Sequence, residues 1–294
     1  MGALVTEHIA HARSRTLKNR IFYGLVILLT AITVSPIVLI IFKLIQKGYK
    51  QINIGFFTER TPDTFEAMAA IANNEVIPGG IVNGITGTLL MIVLASVIAI
   101  PLGILVGIYL YENPTRRYAS YIRNMTDILQ GVPSIVLGLI AYMWVVKSIT
   151  HGFSALAGST ALAIMMLPLI IRSSEETFKM IPGPVKEAAL ALGVPYHKVI
   201  LRVIIPTGFS GLMTGILLSI SRIIGETAPL MLTALGSQMV NLNITKPTSA
   251  VPLLIWEFYN DPNMADLIWS SSLFLMALIL ALNLISKYIA GKSP

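Results

Sequence analysis

The chain alternates between long apolar blocks and short charged connections. Six blocks free of Asp, Glu, Lys and Arg can cross a hydrocarbon core about 30 Å thick, which takes roughly 20 helical residues. They are Ile21–Phe42, part of Val76–Tyr111, Ile128–Val146, part of Ser148–Ile171, Val203–Ser221 and Leu267–Ser286. Backbone polar groups need internal partners in lipid, so these blocks are expected to be helices. None shows the alternation of a barrel strand about ten residues long. A further uncharged run, Thr227–Thr245, holds Pro229, Gly236, Gln238, Asn241 and Asn243 and reads as a short re-entrant or extracytoplasmic segment.

Composition agrees with this pattern. Hydrophobic residues make up 55% of the chain and charged residues 12%, about half the usual charged share of a globular domain. That excludes a soluble protein, and disorder requires the opposite balance. The net charge of +7 reads as topological information rather than a nucleic-acid footprint. With the N-terminus inside, fourteen of the 21 cations lie on inner segments. They are Arg13, Arg15, Lys18 and Arg20, then Arg116, Arg117 and Arg123, then Arg172, Lys179, Lys186, Lys198 and Arg202, and last Lys287 and Lys292. The positive-inside rule therefore places both termini in the cytoplasm. The expected organisation is a tail over 1–20, a membrane domain over 21–286 and a second tail over 287–294. The first span is too long in its apolar core for a cleaved signal. The absence of cysteine excludes disulfides and leaves the redox compartment open.

The outer loop from Lys43 to about Gly84 carries four cations and four acids. Within it, Thr64–Asn74 fits either an amphipathic helix lying on the membrane or a solvated loop. On the inner side, Arg172–Arg202 forms a connection bounded by spans. Pro182 and Pro184 are expected to end one short helix. Val185–Leu192 forms a second, which Gly193 should terminate, and His197–Arg202 leads into the fifth span.

Intramembrane charge is a functional candidate by default. Arg222 and Glu226, four apart, share a helix face that runs back through Ser219, Gly215 and Gly211. Leu212, Ile216, Leu217, Ile220, Ile223 and Ile224 form the opposite, apolar side. Either this is a pathway face, or the glycines permit close packing and the two charges pair with each other. Sixteen residues from Pro206 make roughly 24 Å of helix, which puts Arg222 in the outer half of the bilayer. A guanidinium fork suits a tetrahedral oxyanion, with Glu226 moderating its grip. The chemistry alone does not separate phosphate from sulfate or molybdate.

Glu187-Ala188-Ala189, Gly193 after three intervening residues, and Val203-x-Ile205-Pro206 after nine more resemble the EAA loop of ABC importer permeases. The segment Ser221–Leu230, with its Arg222, Gly225-Glu226, Thr227-Ala228-Pro229, resembles the phosphate-specific members of that family. So do Gly79-Gly80-Ile81 with Gly87-Thr88, Gly131-Val132-Pro133-Ser134, and Leu167-Pro168 with Arg172 and Glu175-Glu176. The short outer loop and the Thr-Ala-Pro after the glutamate resemble one of the family's two paired permeases more than the other. The resemblance implies an all-α polytopic membrane protein of six transmembrane helices with the type I ABC importer permease fold, in the cell inner membrane. It also implies an anion path shared with a second permease, two ATPase copies inside and an extracytoplasmic phosphate-binding protein outside. On that basis Arg222, Glu226, Thr227 and, more weakly, Arg172 line the pathway. Glu187, Ala188 and Ala189 dock the ATPase, Gly193 makes a tight turn, and Pro206 relays movement to the fifth span.

ATP and magnesium are expected in the partner ATPase and no cofactor in this chain. The nearest approach to a phosphate loop is Gly291-Lys292-Ser293, where Ser286 stands in place of the first glycine. His8 and His11 make a weak metal pair. Arg172 also fits an anchoring cation, and Asp127 and Gln130 a helix start and its solvated neighbour. Trp144, Trp256, Trp269, Tyr109 and Tyr111 fit interfacial aromatic belts, and Pro101 and Pro133 fit kinks. No nucleophile–base or paired-carboxylate constellation argues for catalysis. The rival functions are an importer of another oxyanion, an ion-coupled secondary transporter with an Arg222–Glu226 proton relay, and a regulatory membrane scaffold.

Overall fold

A computed structural model describes the backbone of residues 2–73 and 75–291, and side chains at 15, 18–73 and 75–291. His8 and His11, Asn74 at the end of the outer-loop helix, and Lys292-Ser293 of the discarded phosphate loop fall outside the described side chains. The described chain is mostly helical. Among the described residues the only β-pairing is an isolated bridge, Leu235 to Thr248.

Helix α1 runs Gly2–Gly48, followed by α2 (Ile54–Thr58) and α3 (Thr64–Ala72) in the outer loop. Then come α4 (Val82–Glu112), α5 (Arg117–Gly131), α6 (Ser134–Ala141) and α7 (Ala155–Lys179). A π-helical stretch extends α6 to Thr150. The inner loop holds α8 (Gly183–Ala191) and α9 (Tyr196–Val199). A π turn over Ile200–Ile204 leads to α10 (Ile205–Thr207) and α11 (Phe209–Ile224). Short α12 (Ala228–Met231) and α13 (Val251–Tyr259) precede α14 (Ala265–Gly291).

Four helical stretches are long and apolar enough to cross a membrane alone: Lys18–Gln51, Val82–Glu112, Ala155–Lys179 and Pro262–Gly291. Two bent pairs bring the total to six. This matches the expected number of spans and corrects two of them. The block Ile128–Val146 is not one helix, because α5 and the α6 stretch meet at 104°. Proline lacks an N–H and drives its predecessor out of the α region, and Val132 is extended at φ −71°, ψ 130°. The block Val203–Ser221 is likewise broken: Tyr196–Thr207 and Phe209–Ile224 meet at 69° around Gly208. Pro101, by contrast, stays inside the 31-residue α4.

The two prolines of the inner loop also act differently from expectation. Helix α7 stops at Lys179, before either of them. Pro182 caps α8 and Pro184 sits in its first turn, where a missing N–H costs nothing. They open the second helix.

The core lies between α4 and α7, with α6, α11 and α12 packed around them. Met91, Ala95 and Ala99 meet Leu162, Met166 and Ile170, closed by Ile223 and Leu230. Small residues let the backbones approach. A Cβ on Gly107 would lie 2.5 Å from Ser174, and one on Gly215 would lie 2.1 Å from the Ser173 hydroxyl. The Gly211–Gly215 stripe of α11 is thus a packing face against α7.

The Thr227–Thr245 run, after the single turn of α12, is irregular but integrated. Its backbone carbonyls cap the start of α7, with Ser154 N–H donating to Thr233, Ala155 to Lys246 and Leu156 to Ile244. Asn83 of α4 donates to Ser237. Non-helical backbone is tolerated within a membrane protein where such partners exist.

Candidate functional site: an arginine at a broken helix

Helix α11 ends at Ile224 with Gly225 as its cap, so Glu226 is not the next turn of the face that carries Arg222. The spacing of four suggested a continuous stripe; Gly225 interrupts it. The two side chains nevertheless meet. Both line a cavity of about 260 Å³ with Leu129, Gln130, Val132, Pro133, Ser134, Leu137 and Met165. Arg222 is exposed and Glu226 half-buried. Among the described residues neither makes an ion pair or a side-chain hydrogen bond. The pairing that would have made them merely structural is absent there.

The opposite wall is the α5–α6 break. Val136 and Leu137 donate to the Pro133 carbonyl, which leaves the amides of Ser134 and Ile135 without a helical acceptor, and Pro133 and Ser134 bring this positive end of the helix dipole to the cavity wall. A guanidinium and a helix N-terminus converging on one cavity form a setting for an anion. Gly138 of α6 holds this wall against the segment after Glu226, since a Cβ there would come within 2.6 Å of Pro229.

The cavity reaches Met165, near the middle of the 25-residue α7, so Arg222 sits beside that part of α7. The bend at Gly208 turns the Pro206 end aside, so only the residues from Phe209 onward rise along α11.

Arg172 does not line the cavity. Its guanidinium lies 3.5 Å from Asp127 and 3.9 Å from Glu176. Seven residues from Met165, it shares that residue's face of α7 about 10 Å inward. Asp127 lies in the last part of α5, not at a helix start, and Gln130, exposed as expected, also lines the cavity. Thr227 belongs to a different, apolar pocket with Trp256, Tyr259 and Ile268, and its carbonyl caps α12.

Charge counting along the chain used Arg123 only as a topological cation, and Glu175 entered only through the family resemblance; the structure joins the two in an ion pair. Glu175 is 1% exposed and meets Arg123 at 2.8 Å and Lys179 at 2.6 Å. Arg123 also donates to the Leu110 and Pro114 carbonyls at the end of α4. The signal was an acid one helical turn from Arg172 in an otherwise apolar helix.

In the inner loop, Glu187 and Ala188 are exposed, while Ala189 is half-buried against Phe178 and Val199. Lys186 forms an ion pair with Glu112 and tethers α8 to the end of α4. Gly193 has φ +74° with open space around it, so the left-handed turn and not crowding requires glycine. Leu192, its chain neighbour, and Met180, at the end of α7, are each 84% exposed. Pro206 lies in α10, two residues before the Gly208 bend.

The model of binding-protein-dependent transport system inner membrane components matches residues 99–292. The chain belongs to this family. It is 37% identical over 281 residues to the phosphate transport system permease protein PstA of Yersinia pestis, covering 95% of this chain and 92% of that protein. The PstA of Xylella fastidiosa is 38% identical over 244 residues, 82% and 81% of the two chains. That of Pasteurella multocida is 34% identical over 280 residues, 94% and 96%. A chain of the inward-facing MetNI methionine ABC transporter superposes with a TM-score of 0.60 at 19% identity, covering 72% of this chain and 95% of that one. The fold is that of a type I ABC importer permease. The chain is a multi-pass membrane component of a transporter complex, and its relatives are named as permease subunits.

Proposed function

We propose that this chain is the transmembrane permease subunit of an ATP-driven inorganic phosphate importer. The observation that carries the reading is the cavity in which Arg222 faces a helix N-terminus with no ion-pair partner among the described residues. The phosphate-system relatives, at 33–38% identity, favour phosphate over sulfate or molybdate. Arg222 supplies a two-pronged donor for a tetrahedral oxyanion. Glu226 prevents tight capture and adds a chemical filter. Phosphate keeps a proton near neutral pH and can donate it to a carboxylate, whereas sulfate has none and meets only repulsion. Arg172 stands two turns further in, at the inner end of the same face, and Thr227 supports α12 beside the path.

A PstC-like second permease completes the path, and both termini are cytoplasmic. Two PstB-like ATPases bind ATP and magnesium and seat against α8, with Glu187 and Ala188 as the contact, Ala189 packed behind and Gly193 as the turn. Their closure moves α9–α10 and, through Pro206 and the Gly208 bend, α11. A PstS-like protein delivers phosphate from outside. This subunit performs no chemistry.

The test is reconstitution with all partner subunits, measuring phosphate uptake and ATP hydrolysis. Arg222→Ala should cut uptake at least tenfold while the complex still assembles. Glu226→Gln should weaken discrimination against sulfate, and Glu187→Lys should uncouple hydrolysis from uptake. Uptake that persists without the ATPase, or normal uptake by Arg222→Ala, would sink the reading.

A further inference from the structure

Helix α3 in the outer loop is built inside out for a surface helix in water. Its protein-facing residues are the small Ala67 and Ala70, both buried. At 100° per residue the direction opposite them is taken by Phe65, Met68, Ala69 and Ala72, all exposed. Phe65 is 84% and Met68 59% exposed, while the polar Thr64, Glu66 and Asn73 fall to the sides. The membrane helices of this chain share the pattern. Helix α4 buries Gly87, Ala95, Ala99 and Gly103 and exposes Leu89, Val93, Val97 and Leu105, which is the arrangement expected of a helix facing lipid.

The position of α3 agrees. It packs on the Pro262–Met264 turn, which opens α14, and Thr64 at its start lies beside Asp261 just before that turn. It is thus held where a span leaves the membrane. The stacked Trp256 and Tyr259 rings, both exposed, end α13 beside the same turn, as interfacial aromatics do. Glu66 accepts from the Asp63 N–H and closes a capping box, which satisfies the first turn without using the apolar face. A nine-residue helix is about 13 Å long. One face of it falls well short of the roughly 800 Å² that a stable protein interface takes from each partner.

We propose that α3 is an interfacial anchor whose Phe65–Met68 face inserts into the outer leaflet of the bilayer. It ties the outer loop and the start of α14 to the membrane surface. The chain has no cysteine, so single spin labels can be introduced at Phe65→Cys, Met68→Cys and Asn73→Cys. The full chain would be measured in the assembled transporter in lipid nanodiscs, comparing collisions with oxygen, which partitions into lipid, and with a nickel chelate, which stays in water. The expected ratio of oxygen to nickel accessibility at 65 and 68 is several-fold above that at 73. Adding Phe65→Glu to the Met68→Cys chain should bring the ratio down to that of 73, and Phe65→Leu should preserve it. Equal ratios at all three sites would show a face in water. Low accessibility to both reagents at 65 and 68 would show a protein partner there; either result overturns the proposal.

Discussion

Helices α1 and α7 are both apolar spans, and they are used in opposite ways. The more apolar of the two is α1, yet none of its most apolar 18-residue stretch is buried, against 61% for α7. Helix α1 packs on α14, with its described side-chain contacts at the Gly48 end. There Ser270 donates to the Gly48 carbonyl, Lys47 lies over the Trp269 ring, and a Cβ on Gly48 would collide with Leu273. Helix α7 packs against α4, α5, α6, α11 and α12. Apolar content does not drive burial where the solvent is itself apolar. What brings helices together is close packing and polar contact, and α7 has both. Ala157, Gly158, Ser159 and Ala161 are buried around its circumference, and Glu175 bonds to Arg123.

Three paired substitutions press on this difference. The largest effect is expected at the buried charge. Arg123→Ala leaves Glu175 with only Lys179 and strips the Leu110 and Pro114 carbonyls of this donor, at about 3–5 kcal/mol. Replacing Arg123 and Glu175 together by Met should recover most of that loss; thermal unfolding of the purified complex reads both, and a single variant as stable as the parent would break the argument. Next, Leu162→Ala opens a cavity in the α7 core and should cost about 3 kcal/mol. Ile32→Ala on α1 should stay within about 0.5 kcal/mol, and equal costs would mean that α1 is as packed as α7. The smallest contrast uses one change at two glycines. Gly107→Leu must push Ser174 away and should destabilise by about 2 kcal/mol. Gly24→Leu, with nothing within 4 Å, should be neutral or gain up to about 1 kcal/mol in helix propensity. Destabilisation at Gly24 would reveal a neighbour on α1 in the assembled transporter.

Much of the fold was legible from the chain. Uncharged runs located six crossings because lipid excludes charge, and Gly193 marked the end of α8 because its backbone turns left-handed. The failures share one cause. At Gly131-Val132-Pro133 the local signal for a break was visible, but a kink and a 104° turn look alike until α6 has packed on α7 and α12. The spacing of Arg222 and Glu226 implied a helix face, and Gly225 ended the helix between them. Gln130 and Met165 are ordinary in sequence and join the site only because α5, α7 and α11 converge.

The sequence by itself determined that the chain is a helical membrane protein, where its spans lie, which loop resembles an ATPase dock and which intramembrane arginine to watch. Those properties follow from local pattern and from the free energy of charge in lipid, which each segment carries alone. Only the tertiary structure decided which apolar helix is core and which faces outward, which part of α7 Arg222 sits beside, and that its neighbour is a broken helix end rather than a bound carboxylate. Those depend on surfaces contributed by segments far apart in the chain, and no single segment records them.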